Sequence, residues 1–154
     1  MTMRHTWMFF GCSMGVACAQ PVTSGEMDVL TYNVHGLPSQ ITGDDTPARM
    51  DDIAPLLPDF AILGLQEDFD DANHVRLTAD SEHPTQVRFA ERLDDERIYG
   101  SGLSVLAHAP FVSVHHEHYT DCYGVFEGAS DCLASKGFQV VRLRIGPKDH
   151  HTLD

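Results

Sequence analysis

The clearest hydrophobic pattern in the chain is a short apolar run at residues 60–65, which ends on Gln66 and Glu67. A run of this length after a break at Pro55 and Pro58 predicts a buried β-strand. Strands buried on both faces are typical of the centre of an α/β sheet, and ligands bind at their carboxyl ends. The Glu67 carboxylate is therefore a candidate ligand for Mg²⁺, Mn²⁺ or Ca²⁺, with a solvated loop carboxylate as the alternative.

A second strand is predicted upstream, over residues 27–34, where residues that favour β-structure alternate imperfectly. Gly36 and Pro38 end this strand in a turn, which places Asn33 at its carboxyl end. The Asn33 amide oxygen is a second candidate ligand for a hard cation, although asparagine is also favoured at such junctions for its turn chemistry. His35, within the turn, is interpreted as an ordinary loop residue.

Between these strands the hydrophobic pattern changes to a helical period. We expect Thr46 to cap the helix and Pro47 to occupy its first helical position. Four apolar residues with the spacing i, i+3, i+4, i+7 form one helical face: Met50, Ile53, Ala54 and Leu57. The segment 28–67 therefore predicts a strand, a loop, a helix and a strand, with Asn33 and Glu67 at equivalent ends of the two strands.

The second half of the chain predicts further short elements. Two short helices are expected within residues 71–95, and strands after the glycine turn at 99–102, at 111–119 and at 138–145. The histidines of the second of these strands are interpreted as solvated edge residues, with transition-metal binding as the alternative: His115, His116 and His118. The arginines of this half are expected in surface ion pairs: Arg76, Arg88, Arg92 and Arg97.

Composition and charge limit the possible functions. The 154 residues are enough for one domain, and 42% hydrophobic with 21% charged residues is an ordinary globular composition. The net charge of −13 argues against a partner held mainly through neutralised phosphates. A phosphate substrate stays possible, because a bound divalent cation would dominate the local field. No stretch has the 18 or so apolar residues of a membrane span.

The N-terminus has the features of a targeting segment. Residues 1–19 combine an early Arg4, a short apolar middle and an Ala-Cys-Ala end, which predicts a secretory signal peptide followed by a linker at 20–26. A lipid anchor on Cys18 is the alternative. In an exported chain, Cys122 and Cys132 are expected to form a disulfide that stabilises by roughly 3 kcal/mol, with two free thiols as the alternative.

Two motifs together resemble a known family. Leu30-Thr-Tyr-Asn-Val-His-Gly-Leu-Pro38, followed by Pro58-Asp-Phe-Ala-Ile-Leu-Gly-Leu-Gln-Glu-Asp-Phe69, resembles the start of the endonuclease/exonuclease/phosphatase superfamily. This superfamily includes deoxyribonuclease I-like nucleases, sphingomyelinases and inositol-phosphate phosphatases. Its metal-binding asparagine and glutamate match Asn33 and Glu67. The loop at 131–138 also resembles secreted members, and Lys136 there is placed to approach a substrate phosphate as a point charge.

The resemblance implies an α/β fold of the α+β sandwich type. Residues 27–154 would form the first half of a two-sheet, four-layer β-sandwich with outer helices. The implied activity is that of an exported Mg²⁺-dependent phosphodiesterase or phosphatase, in which a metal-activated water attacks a phosphate ester. The substrate stays open between a phospholipid, a small phosphate ester and nucleic acid, and the oligomeric state is open as well.

The later motifs of the family have no match in this sequence. Neither its histidine base nor its Asp-x-Asn and Ser-Asp-His motifs are found, so no catalytic residue is assigned and the catalytic second half is expected to be missing. The alternative is a non-catalytic truncated remnant with at most weak metal binding.

Overall fold

The computed structural model describes residues 26–124 and 131–145, which form two β-sheets and several short helices. The predicted signal peptide, nearly all of the predicted linker, and the turn and strand predicted after residue 145 lie outside these residues. The strands are β1 Val29–Asn33, β2 Ile62–Gln66, β3 Thr85–Phe89, β4 Leu103–Ala107, β5 Phe111–His118 and β6 Gly137–Leu143. The helices are α1 Ser39–Thr42, α2 Thr46–Ile53 and α3 Asp71–Leu77, with 3₁₀ helices at Ala54–Asp59 and Asp131–Leu133.

The larger sheet has the strand order β1-β2-β4-β3, in which β1 and β2 are parallel and the other pairs antiparallel. The chain crosses from β1 to β2 through α1, α2 and the first 3₁₀ helix, as a parallel pair requires. The pairing runs from Val29 opposite Ile62 to Asn33 opposite Gln66. The predicted strand-loop-helix-strand unit is confirmed, and both strands end at the same edge of the sheet.

The hydrophobic core lies between the larger sheet and its helices. Alternate strand residues, among them Leu63, Leu65 and Leu106, are at most 1% exposed and pack in one cluster with side chains of α2. The whole predicted helical face is buried: Met50, Ile53, Ala54 and Leu57. Within the described residues β2 buries only one face fully, because Ile62 and Gly64 are partly exposed. The predicted burial of β2 is therefore confirmed for one face of the strand and wrong for the other.

The start of α2 differs from the prediction by one residue. Asp45 is the N-cap, and its side chain accepts a hydrogen bond from the backbone N–H of Ala48. Thr46 is fully buried, and its hydroxyl donates instead to Asp44 Oδ1 at 3.0 Å. Pro47 is therefore the second helical residue, one position later than predicted. Because Asp and Thr are both good N-caps, the sequence alone did not decide between them.

The prediction of two helices in residues 71–95 was wrong for the second one. α3 ends at Leu77, and the following segment forms strand β3 instead of a helix. β3 pairs antiparallel with β4 from Thr85 opposite Ala107 to Phe89 opposite Leu103. The alternation Thr-Gln-Val-Arg-Phe is a β pattern, and this pairing partner is distant in sequence.

A second sheet is formed by the antiparallel ribbon β5-β6, so the described residues hold more than one sheet. The side chain of Phe89, at the end of β3, stacks against the rings of His116 and His118 at 4.1 and 4.3 Å between centroids. The predicted disulfide between Cys122 and Cys132 is present beside this ribbon. Among the described residues, no helix has the length and apolarity needed to cross a membrane.

All four arginines form ion pairs, but only Arg76 and Arg92 do so with exposed side chains. Arg76 pairs with Asp51 and Arg92 with Asp95, all with well-exposed side chains. Arg97, in contrast, is only 8% exposed and donates to the Cys132 carbonyl. Arg88 is also largely buried and binds backbone carbonyls near α3, as described below.

His83 is a buried histidine in the loop before β3, and it contacts the segment that leads into β2. Its Nε2 lies 2.8 Å from the Phe60 carbonyl, its Nδ1 lies 2.9 Å from the Ser81 hydroxyl, and its ring stacks on His108. Burial lowers the pKa of His83 below its ordinary value of 6.5, despite the hydrogen bond to Phe60. The folded protein therefore holds this ring neutral at a pH where the unfolded chain protonates it.

We predict that His83 makes the folded state less stable as the pH falls below about 6.5, because the unfolded chain then binds the additional proton. In His83→Gln this contribution is removed. The difference in unfolding free energy between wild type and variant should shrink between about pH 7.5 and pH 5 in urea titrations. His115→Gln, on the exposed ribbon, is the control. A difference that stays constant across this range would contradict the assignment.

Candidate functional site

The pairing of β1 with β2 brings the two candidate ligands to one end of the larger sheet. Asn33 is the last residue of β1 and lies opposite Gln66, the residue before Glu67. The ladder continues past both strands, since Val34 N–H donates to the Gln66 carbonyl at 2.9 Å. Gly36 N–H then donates to the Glu67 carbonyl at 2.8 Å. The loop that follows Asn33 is thus fixed directly to the backbone of Glu67.

The close approach of these two loops requires a glycine at position 36. A Cβ atom on Gly36 would lie 2.6 Å from the Glu67 carbonyl oxygen, which is far inside van der Waals contact. Both neighbouring loops also contain a non-glycine residue with positive φ, His35 at 51° and Glu67 at 58°. Such backbone costs energy for an L-residue and concentrates at functional sites when the surroundings enforce it.

Two side chains from the helices hold the loop after β1. Arg49 of α2 donates to the His35 carbonyl at 2.7 Å and is paired with the Asp44 carboxylate. Hydrogen bonding from Thr42 and the ion pair with Arg49 lower the pKa of Asp44 to about 2, so this pair stays charged at any physiological pH. Asn73 of α3, only 4% exposed, donates to the Gly36 carbonyl at 3.3 Å.

The loop after β2 is held by a buried polar network around Asp68. The Asp68 carboxylate is 1% exposed and lies 2.6 Å from Nδ1 of His74, and it also accepts a hydrogen bond from Ser104. Arg88 donates to the Asp68 and Phe69 carbonyls at 3.1 and 2.8 Å. A buried carboxylate needs such partners, and together they fix the backbone immediately after Glu67. No local sequence pattern predicted this network, because its members come from α3, β3 and β4.

The two candidate ligands line one open cleft of about 530 Å³. Its walls come from the ends of β1 and β2, the start of β4 and the segment around the disulfide. The lining residues are Asn33, Gln66, Glu67, Phe69, Ser101, Leu103, Tyr119, Asp121, Asp131, Lys136 and Gly137. Among these residues, three carboxylates face a single lysine, so the cleft is acidic overall.

Lys136 lines the same cleft. Its Nζ is 3.8 Å from Asp131 Oδ1 and 5.8 Å from the centre of the Phe69 ring. The lysine side chain is 42% exposed, so it is free to turn towards an anion in the cleft. The disulfide ties Cys132, next to Asp131, to Cys122, next to Asp121, and so fixes this wall.

The donor set of the cleft fits a hard divalent cation. An amide oxygen and a carboxylate on adjacent strand ends are the oxygen donors that Mg²⁺ and Ca²⁺ prefer. No group of three or more His, Cys, Asp and Glu side chains suited to a metal ion occurs in residues 26–124 and 131–145. The histidines of β5 lie apart from this cleft, and two of them pack on Phe89 instead.

The chain is similar in structure to several solved proteins. It superposes on sphingomyelinase C from Streptomyces griseocarneus with a TM-score of 0.63 and 24% identity, covering 80% of this chain and 46% of that one. It superposes on SmcL with a TM-score of 0.64 and 20% identity, covering 79% of this chain and 44% of that one. A Staphylococcus aureus beta toxin variant with bound magnesium ions superposes with a TM-score of 0.65 and 13% identity, covering 80% of this chain and 47% of that one.

These similarities confirm the predicted sandwich-type α/β fold. The chain spans less than half the length of each of these solved structures. No protein-family model matches the chain, and the search of curated proteins returns no match.

We predict that Gly36→Ala displaces the backbone of Glu67, because the added Cβ meets the Glu67 carbonyl. Gly43→Ala is the matched comparison, since Gly43 has φ of 76° but open space around its Cβ position. Gly43→Ala should cost about 1–2 kcal/mol of unfolding free energy through backbone strain alone. The Glu67 amide signal in NMR spectra should move in Gly36→Ala and not in Gly43→Ala. Equal effects of the two variants on that signal would refute the close contact.

Proposed function

We propose that this chain, which has the fold of the endonuclease/exonuclease/phosphatase superfamily, contributes the metal-binding part of an exported, divalent-metal-dependent phosphodiesterase. The main observation in support is that Asn33 and Glu67 line one cleft from adjacent strand ends. The magnesium ions of the similar beta toxin structure support Mg²⁺ as the cation, with Mn²⁺ and Ca²⁺ as alternatives. The signal-peptide pattern at 1–19 and the disulfide between Cys122 and Cys132 support export.

The cleft residues have distinct roles in this proposal. Asn33 and Glu67 hold the cation through an amide and a carboxylate oxygen. When bound, the cation polarises a phosphoryl oxygen and neutralises the negative charge that develops on the phosphate ester. Lys136, which also lines the cleft, contributes a mobile positive charge for a phosphate oxygen. Because the described lining has three carboxylates and one lysine, an anionic substrate would be repelled from it without a cation.

The substrate class is proposed from charge and similarity together. The net charge of −13 disfavours a polyanionic nucleic acid, whose binding depends on basic surfaces. The similarity to a sphingomyelinase C supports a phospholipid, and a small phosphate ester fits the same cleft chemistry. The hydrolysed bond would be a phosphate ester in either case.

The second candidate is a non-catalytic chain that binds a cation weakly at the same residues. It is favoured by the small donor set, since no cluster of three or more metal-ligating His, Cys, Asp or Glu side chains occurs within the described ranges. The family's histidine base is also not assigned to any residue of this chain. The two candidates agree on the metal site and differ only in turnover.

The two candidates differ in what the purified chain does to an activated phosphodiester such as bis(p-nitrophenyl) phosphate. The phosphodiesterase candidate predicts hydrolysis with Mg²⁺ that EDTA stops, and the non-catalytic candidate predicts Mg²⁺ binding without hydrolysis. Glu67→Gln keeps the size of the side chain and removes its charge, so turnover and Mg²⁺-induced thermal stabilisation should both be lost. Glu117→Gln, on the exposed ribbon, is the matched control and should change neither quantity.

Two other outcomes would decide against the enzyme. Metal stabilisation that depends on Glu67 without any turnover would favour the non-catalytic candidate. Stabilisation or turnover that is unchanged in Glu67→Gln would place the metal elsewhere and overturn both candidates.

A further inference from the structure

His35 lies against both candidate metal ligands. Its Nδ1 is 3.4 Å from Glu67 Oε2, and its backbone N–H donates to Asn33 Oδ1 at 2.9 Å. The imidazole is 55% exposed, and the Glu67 side chain is 36% exposed. Across residues 26–124 and 131–145, the His35 ring makes no hydrogen bond to another residue, so its nitrogens are available to a ligand.

The backbone of His35 is held in a conformation that points to a role for its side chain. Its φ of 51° lies in the left-handed region, which a loop histidine adopts at a cost. The conformation is fixed on one side by Arg49, which donates to the His35 carbonyl, and on the other by the bond to Asn33. Histidine is one of the non-glycine residues that occur more often at positive φ, and glycine would fit this backbone without strain.

The 3.4 Å between His35 Nδ1 and Glu67 Oε2 is compatible with two ligands of one ion as well as with an ion pair. A good N–H···O bond has a heavy-atom distance of about 2.9 Å, and 3.4 Å is beyond its usual range. Two donors at right angles and about 2.1 Å from an octahedral cation lie about 3.0 Å apart. A small rotation of the exposed Glu67 carboxylate brings the pair to that separation.

We propose that His35 Nδ1 is a third protein ligand of the cation held by Asn33 and Glu67. This inference rests on the metal site of the proposed function and goes beyond its two oxygen donors. An imidazole nitrogen is a ligand that suits transition metals. Mn²⁺ is a transition metal that, like Mg²⁺, also accepts carboxylate and amide oxygens. The His35 ring therefore favours Mn²⁺ over Mg²⁺ at this site, and magnesium would be held by the oxygens alone.

The test is pulsed EPR of Mn²⁺ bound to the full chain, prepared without a histidine tag. A directly bound imidazole gives a ¹⁴N modulation in the spin-echo decay, which oxygen ligands do not give. The wild-type spectrum should contain this modulation. It should be lost in His35→Gly, with Mn²⁺ affinity reduced about tenfold and Mg²⁺ affinity almost unchanged. Glycine accepts the positive φ, so this variant keeps the loop backbone.

Two further variants separate the possible outcomes. His35→Asn also tolerates positive φ and should lose the modulation as well, whereas His115→Asn on the exposed ribbon should keep it. Modulation that persists in both His35 variants would refute the third ligand, and the proposed function would survive if Glu67→Gln still abolished binding. Wild-type Mn²⁺ binding that is absent, or unchanged in Glu67→Gln, would refute this inference and the proposed metal site together.

Discussion

The parallel pairing of β1 with β2 is the constraint on which the rest of the structure depends. Because both strands run in the same direction, their carboxyl ends meet at one edge, and Asn33 comes to lie opposite Gln66. A shift of one residue in this pairing would turn the Asn33 side chain to the other face of the sheet. Val34 in the core and Leu30 packed against it oppose such a shift, since a slip of β1 would turn both away from the core.

The strand ends alone do not shape the site, because both following loops have strained backbone. Arg49 and Asn73 hold the carbonyls of the first loop, and the buried Asp68 network holds the second. These contacts come from α2, α3, β3 and β4, so four elements of the described fold hold the two loops in place. The exposed ligand atoms are thereby placed by buried neighbours, which is how a preformed site keeps its geometry without a bound ligand.

Local sequence patterns predicted most elements because hydrophobic periodicity and turn residues act locally. The helical face ending at Leu57, the strand before Glu67 and the disulfide of Cys122 are all confirmed. Strand β3 was missed because its stability comes from pairing with β4, and Arg88 was placed on the surface for the same reason. The positive φ of His35 left no local signal, since histidine is not a residue that turn rules select.

Anomalous diffraction from crystals grown with Mn²⁺ tests the central claim most directly. The claim is that paired strand ends bring an amide and a carboxylate together around one cation. It predicts a single strong anomalous peak in the cleft, within coordination distance, about 2.2 Å, of oxygen atoms of both Asn33 and Glu67. A cleft without such a peak at saturating Mn²⁺, or a peak bound to other residues only, would contradict the claim.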